Sequence, residues 1–149
     1  ANISWFGTPS MATVTIIVVS IWQNIGFLMI IYTAGLQTIP KDVMESAELD
    51  GCSGLKKVLK IELPLLMPTV TINLFVSISG AFKSFDIPNA MTGGGPYGST
   101  MPVAMNIYQE AFTKYNLGYG SAKSVILFLT VAAVTLIQLY CTRKKEVEY

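Results

Sequence analysis

The chain has no histidine among its 149 residues, and charged side chains make up only 13% of it. The first absence removes the commonest general base and metal ligand. The second places the chain well below the roughly 25% charge of an ordinary soluble domain, so a membrane protein is the default. Ten Lys and Arg against nine Asp and Glu leave a formal charge of +1. No general basic field is present to attract nucleic acid. Cysteine is scarce too, and Cys52 and Cys141 stand far apart. On the topology derived below both face a reducing cytoplasm, so free thiols are expected.

Apolar residues fill the space, at 52% of the chain. Three runs, over residues 11–32, 63–82 and 121–141, match the about 20 residues a helix needs to cross a bilayer. None of the three carries an acidic residue or histidine. Proton transfer and metal binding within the membrane therefore lack side chains, and the chain reads as no enzyme and as holding no metal. The expected fold is all-α: a polytopic membrane protein with three transmembrane helices, a helix-turn-helix loop between the first two, and a short interfacial helix before the third.

Polar residues inside the spans stand out because they are costly there. Ser20 and Asn24 lie one turn apart in the first span. Asn24 either bonds neighbouring helices together or faces a cavity, and both readings are open. In the second span Thr69, Asn73, Ser77, Gly80 and Ser84 fall within roughly 80° of one another on a helix. This stripe is the best candidate for a translocation path. Close helix packing through small residues would use the same pattern. Pro64 and Pro68 near the start of the run predict a loosened or bent helix.

The one long polar segment lies between the first two spans, at residues 39–62. Pro40 suits a first helical turn, with Asp42 and Glu45 following where the helix dipole favours negative charge. A helix from Pro40 to Leu49 is expected. Gly51 stands where a left-handed C-terminal cap is wanted, and Gly51-Cys52-Ser53-Gly54 reads as a turn with Ser53 capping the next helix. In that second helix Leu55, Val58 and Leu59 share one face and Lys56, Lys57 and Lys60 another.

Residues 83–120 are more polar. Ile87 to Thr100 is rich in Gly and Pro and reads as irregular. Gly93-Gly94-Gly95-Pro96 lacks the Gly-Lys-Ser/Thr ending of a phosphate loop, so no nucleotide is assigned to it. Pro102 to Phe112 predicts a short surface helix anchored by Tyr108, Phe112 and Tyr115. Lys123, near one end of the third span, is placed to snorkel to the interface. Positive charge collects at Lys41, Lys56, Lys57 and Lys60 and again at Arg143, Lys144 and Lys145. These segments are therefore expected on the cytoplasmic side, with residues 83–120 outside.

The polar segment also carries a resemblance. Glu45, Ala47, Asp50, Gly51, Ile61, Leu63 and Pro64 fall in register on the EAA loop of permease subunits of ATP-binding-cassette (ABC) importers. Ser46 and Cys52 stand where that pattern usually has Ala, and Val58 where Phe is common. AGLQTIP before the loop, and TGGGPYGST and AFTKYNLGYGSAKSVILFL after it, resemble the carbohydrate-uptake branch of the maltose and multiple-sugar type. Lys123 departs from the apolar or small residue usual there. The resemblance implies a subunit of a bacterial or archaeal cell membrane, multi-pass, with its C-terminus in the cytoplasm. Its coupling residues would be Glu45, Ser46, Ala47, Asp50 and Gly51, set against a cytoplasmic ATPase subunit. It further implies a second permease subunit, an extracytoplasmic substrate-binding protein and a carbohydrate cargo. No cofactor is expected on this chain, since ATP and Mg would sit on the partner ATPase. The resembled permeases carry more spans than the three read here, so the stretch reads as the C-terminal part of one. Two alternatives stand beside this: an importer for a non-sugar cargo, and a membrane scaffold or channel that needs no ATPase.

Overall fold

The computed structural model describes residues 4–143, so Lys144 and Lys145, on which the charge reading draws, lie outside the described residues. All regular structure among the described residues is helical. Helix α1 runs Pro9–Gln37, α2 Lys41–Leu49, α3 Leu55–Leu65, α4 Met67–Phe82, α5 Asp86–Thr92, α6 Val103–Tyr108 and α7 Leu117–Arg143. Helices α1 and α7 are each long and apolar enough to cross a membrane, and α3 with α4 make a third span if that bent pair is counted as one.

Both long helices extend past the expected runs, and polar residues along them bond to the helix itself. Thr13, Thr15, Thr33 and Thr130 each donate a hydroxyl to the carbonyl four residues back, at 2.8–2.9 Å. A hydroxyl satisfied in this way can sit in an apolar helix without the cost of an unmade bond.

The second span departs from expectation. It is broken at Leu66, with a bend of 67° between α3 and α4. Pro64 and Pro68 have no N–H to offer the carbonyls of Lys60 and Pro64, so the regular ladder is interrupted twice, and the Pro64 carbonyl takes a backbone N–H at the cap of the first arm instead. The strain also widens α3: Val58–Glu62 is a π turn, in which the Leu63 N–H reaches the Val58 carbonyl five residues back. Widening relieves the clash a proline ring makes with the carbonyl four residues before it.

The stretch read as irregular is also partly ordered. Its first part forms α5, with Pro88 in the opening turns, where a missing N–H costs little, and left-handed Gly93 ending it at φ 59°. Irregular backbone begins only there. Thr92 and Thr100 share a hydroxyl contact of 2.7 Å, and Thr100 also donates to the Gly95 carbonyl at 2.6 Å, which closes the glycine-rich loop on itself.

The chain forms two compact units, Ala1–Ile25 with Ile78–Val134, and Gly26–Ser77 with Thr135–Tyr149. In the second, Gly35 of α1 lies flush on α4, where an added Cβ would fall 2.1 Å from Thr69 Oγ1. Gln138 of α7 donates to the Thr71 carbonyl of α4 at 3.4 Å and to Thr142 Oγ1 at 3.1 Å. In the first, Gly120 of α7 lies against Ala111, where an added Cβ would fall 2.7 Å from the alanine methyl.

Candidate functional site

The polar segment folds as an elbow of α2 and α3. Three residues link it to α1, and there Thr38 Oγ1 donates to the Gly35 carbonyl at 2.7 Å while Ile39 is buried. Pro40, at φ −61° and ψ 134°, precedes α2 as its cap rather than opening it. Asp42 occupies the first turn. Ser46 donates its hydroxyl to the Asp42 carbonyl at 2.8 Å, and Ala47 is buried.

Helix α2 ends in a Schellman motif. The Gly51 N–H bonds the Glu48 carbonyl at 3.0 Å and the Cys52 N–H bonds the Ala47 carbonyl at 2.9 Å. Closing both bonds needs a left-handed residue, and Gly51 supplies it at φ 74°. The cap is thus made by backbone. The side chains of Glu45 and Asp50 make no hydrogen bond among the described residues. Nor does Ser53 cap α3, since Gly54 takes that position at φ 57° with no side-chain bond.

The elbow leaves a shallow groove of about 390 Å³ lined by Asp42, Val43, Ser46, Ala47, Asp50 and Ile61. Four residues of the resembled motif, Ser46, Ala47, Asp50 and Ile61, are brought together here. Glu45 is exposed and outside the groove, and Gly51 shapes it from behind. One contact went unread in the sequence: Lys57 Nζ pairs with Glu48 Oε1 at 2.6 Å across the turn. Glu48 is largely exposed, so the pair fixes geometry more than it adds stability. Its only sequence signal was opposite charge on two short helices joined by a tight turn. Both cysteines are free. Among the described residues no group of three His, Cys, Asp or Glu could hold a metal ion.

The stripe on α4 does not behave as one surface. Thr69 packs on Gly35, and Asn73 is buried with neither amide atom hydrogen-bonded. Ser77 and Gly80 are exposed and Ser84 is half-buried. Asn24 of α1 is exposed, and its Nδ2 donates to the Ser20 carbonyl at 2.8 Å, so among the described residues it joins no second helix.

A second polar cluster, also unread, lies at the end of the polar region. After α6 the backbone widens into a π turn, Gln109–Thr113, which places Glu110 inward with its side chain only 10% exposed. Asn116 Nδ2 donates to its Oε1 and Lys114 Nζ to its Oε2, both at 3.1 Å. Lys123 of α7 approaches Oε2 to 3.5 Å, donates to Asn106 Oδ1 at 2.8 Å and lies 4.4 Å from the centre of the Tyr119 ring. Lys123 therefore turns inward instead of snorkelling. The Asn116 hydrogen bond, then the Lys114 ammonium, hold the Glu110 carboxyl below the usual glutamate value, against the upward pull of burial. Tyr108 bridges the rings of Phe85 and Phe112 at 5.2 Å each, so it packs as well as faces out.

Residues 1–147 match the family described as the binding-protein-dependent transport system inner membrane component. The chain is 38% identical over 144 residues to the probable starch degradation products transport system permease protein AmyD of Thermoanaerobacterium thermosulfurigenes, covering 97% of this chain and 49% of that protein. It is 40% identical over 145 residues to the sulfoquinovosyl glycerol transport system permease protein SmoG of Agrobacterium fabrum, with 97% and 47% covered. To the sn-glycerol-3-phosphate transport system permease protein UgpA of Agrobacterium fabrum it is 35% identical over 137 residues, with 91% and 47% covered. The chain thus spans about half the length of these relatives.

Proposed function

This chain belongs to the binding-protein-dependent transport system inner membrane components, and from that premise we propose that it serves an ATP-driven sugar importer. In this reading it forms part of the translocation path and couples it to a cytoplasmic ATPase subunit. ATP and Mg reside on that partner, and this chain carries no hydrolytic chemistry. A second permease subunit completes the path, and an extracytoplasmic binding protein delivers the sugar.

One observation carries the reading: the α2–α3 elbow is joined to apolar helices on both sides without slack. Three residues connect it to α1, and α3 runs into α4 through a single bend residue. The Schellman cap and the Lys57–Glu48 pair hold the two arms of the elbow together. A partner gripping the groove of Ser46, Ala47, Asp50 and Ile61 would displace both helices. Asn24, Ser77 and Gly80, exposed in this chain, and Ser84 are proposed to line the path with Asn73.

Gly51→Val tests the coupling role. No atom lies within 4 Å of a Cβ built at Gly51, so the change obstructs no neighbour and acts through the backbone alone. A β-branched residue is closed to φ 74°. The variant should insert normally and lose substrate-stimulated ATP hydrolysis in the reconstituted complex; unchanged stimulation removes the proposal. A non-sugar cargo is the second reading, favoured by the relative named for sn-glycerol-3-phosphate. Uptake assays with the cognate binding protein decide between them.

A further inference from the structure

The Glu110 cluster has no place in the coupling elbow or the proposed path. Lys114 alone, one turn away on the same segment, neutralises Glu110. A second cation is not needed for charge balance, yet Lys123 of α7 gives up water to join it, with its side chain 24% exposed. Long lysine side chains near a helix end ordinarily extend to the interface. Here the ammonium is held by the Asn106 carbonyl oxygen, the Glu110 carboxylate and the Tyr119 ring.

The backbone is arranged to the same end. The π turn brings Glu110 inward, the Asn116 N–H returns to the Glu110 carbonyl at 3.0 Å, and the Gly120 N–H bonds the Asn116 carbonyl at 2.9 Å. Beneath the charges Gly120 sits against Ala111, where a Cβ would come within 2.7 Å of the alanine methyl. Close apolar contact and an inward charge pair lie on one interface. Sliding the segment along α7 would separate both together. A pair sheltered from water resists graded separation, because parting it leaves two poorly solvated charges.

We propose that Lys123 and Glu110 act as a latch that makes residues 103–116 and the first turns of α7 a single rigid piece, so that load on this polar region passes to the third span. Resting on the importer reading, the load is that of the docked binding protein. Lys123 is then a positioning residue, which touches neither cargo nor nucleotide.

The test uses the assembled importer in lipid nanodiscs, with Lys123→Met, which keeps length and removes charge, and Lys123→Arg, which keeps both. Amide exchange at Ala111 and Phe112 should quicken by about tenfold or more in Lys123→Met, and stay near wild type in Lys123→Arg. Stimulation of ATP hydrolysis by the loaded binding protein should fall several-fold in Lys123→Met, with basal hydrolysis unchanged and stimulation restored in Lys123→Arg. Unchanged exchange in Lys123→Met overturns the latch. Faster exchange with full stimulation overturns the transmission of load. Absence of any stimulation in the wild-type complex would count against the importer reading, while exchange would still decide the latch.

Discussion

Gly35 meets Thr69 with no room for even a methyl group, since an added Cβ would lie 2.1 Å from Oγ1 and 2.8 Å from the threonine Cβ. Gly35→Ala should therefore destabilise by about 1–3 kcal/mol through overpacking, measured as thermal unfolding in detergent. Thr69→Ala in the same chain, which removes Oγ1 and Cγ2 but keeps the Cβ, should recover part of the loss; no recovery would mean the contact is not the cause. Glu110 adds a pH dependence. Its carboxyl is depressed in the folded chain, so its contribution is complete above the ordinary glutamate range and disappears as pH falls through the lowered value. Facing it are the Lys114 and Lys123 side chains and the neutral Asn116 amide. Protection of the amides at residues 103–116, taken relative to their intrinsic exchange at each pH, should be flat across neutral pH and fall only in acid below the usual carboxylate range. A loss of protection near neutrality would contradict that assignment. Gly51 was legible in the sequence because its requirement is local: a helix of nine residues ending before a turn needs one left-handed position. Glu110 was not, because its partner Lys123 comes from another helix.

Among the elements, the bend between α3 and α4 turns an apolar run into a crank. A straight helix from Lys56 to Ser77 would be about 5 Å longer end to end than one bent by 67° at Leu66. Pro64→Ala with Pro68→Ala restores two N–H donors and should lengthen the distance between spin labels at Lys56 and Ser77 by about that much. Cys52 and Cys141 would first be replaced by serine. An unchanged distance would assign the bend to packing rather than to the prolines. The prolines announced a break, but its angle and the π turn before it depend on which carbonyls find donors in three dimensions. The two π turns fall at Val58–Glu62 and Gln109–Thr113, and no periodicity of apolar residues separates them from α-helix.

At the scale of the molecule, the membrane reading rests on two helices, α1 and α7, whose large apolar side chains are exposed along most of their length. The orientation proposed from charge has a direct test. An impermeant thiol reagent should label Tyr97→Cys in intact cells and Lys56→Cys only after permeabilisation. Labelling of Lys56→Cys from outside would leave no ATPase able to grip the elbow. The same reagent should reach cysteines at Ser77 and Gly80 more readily than at Val70 and Ile78, if the exposed part of the α4 stripe lines a path.

Composition and local spacing by themselves determined that the chain is helical and membrane-embedded, where its polar elbow lies and where that elbow turns, because helix periodicity, proline geometry and left-handed glycine act within a few residues. Only the tertiary structure decided which residues share the groove, that the α4 stripe is half packing and half exposed, and that Lys123 turns inward to Glu110. Those outcomes depend on which side chains from distant parts of the chain compete for the same sheltered volume.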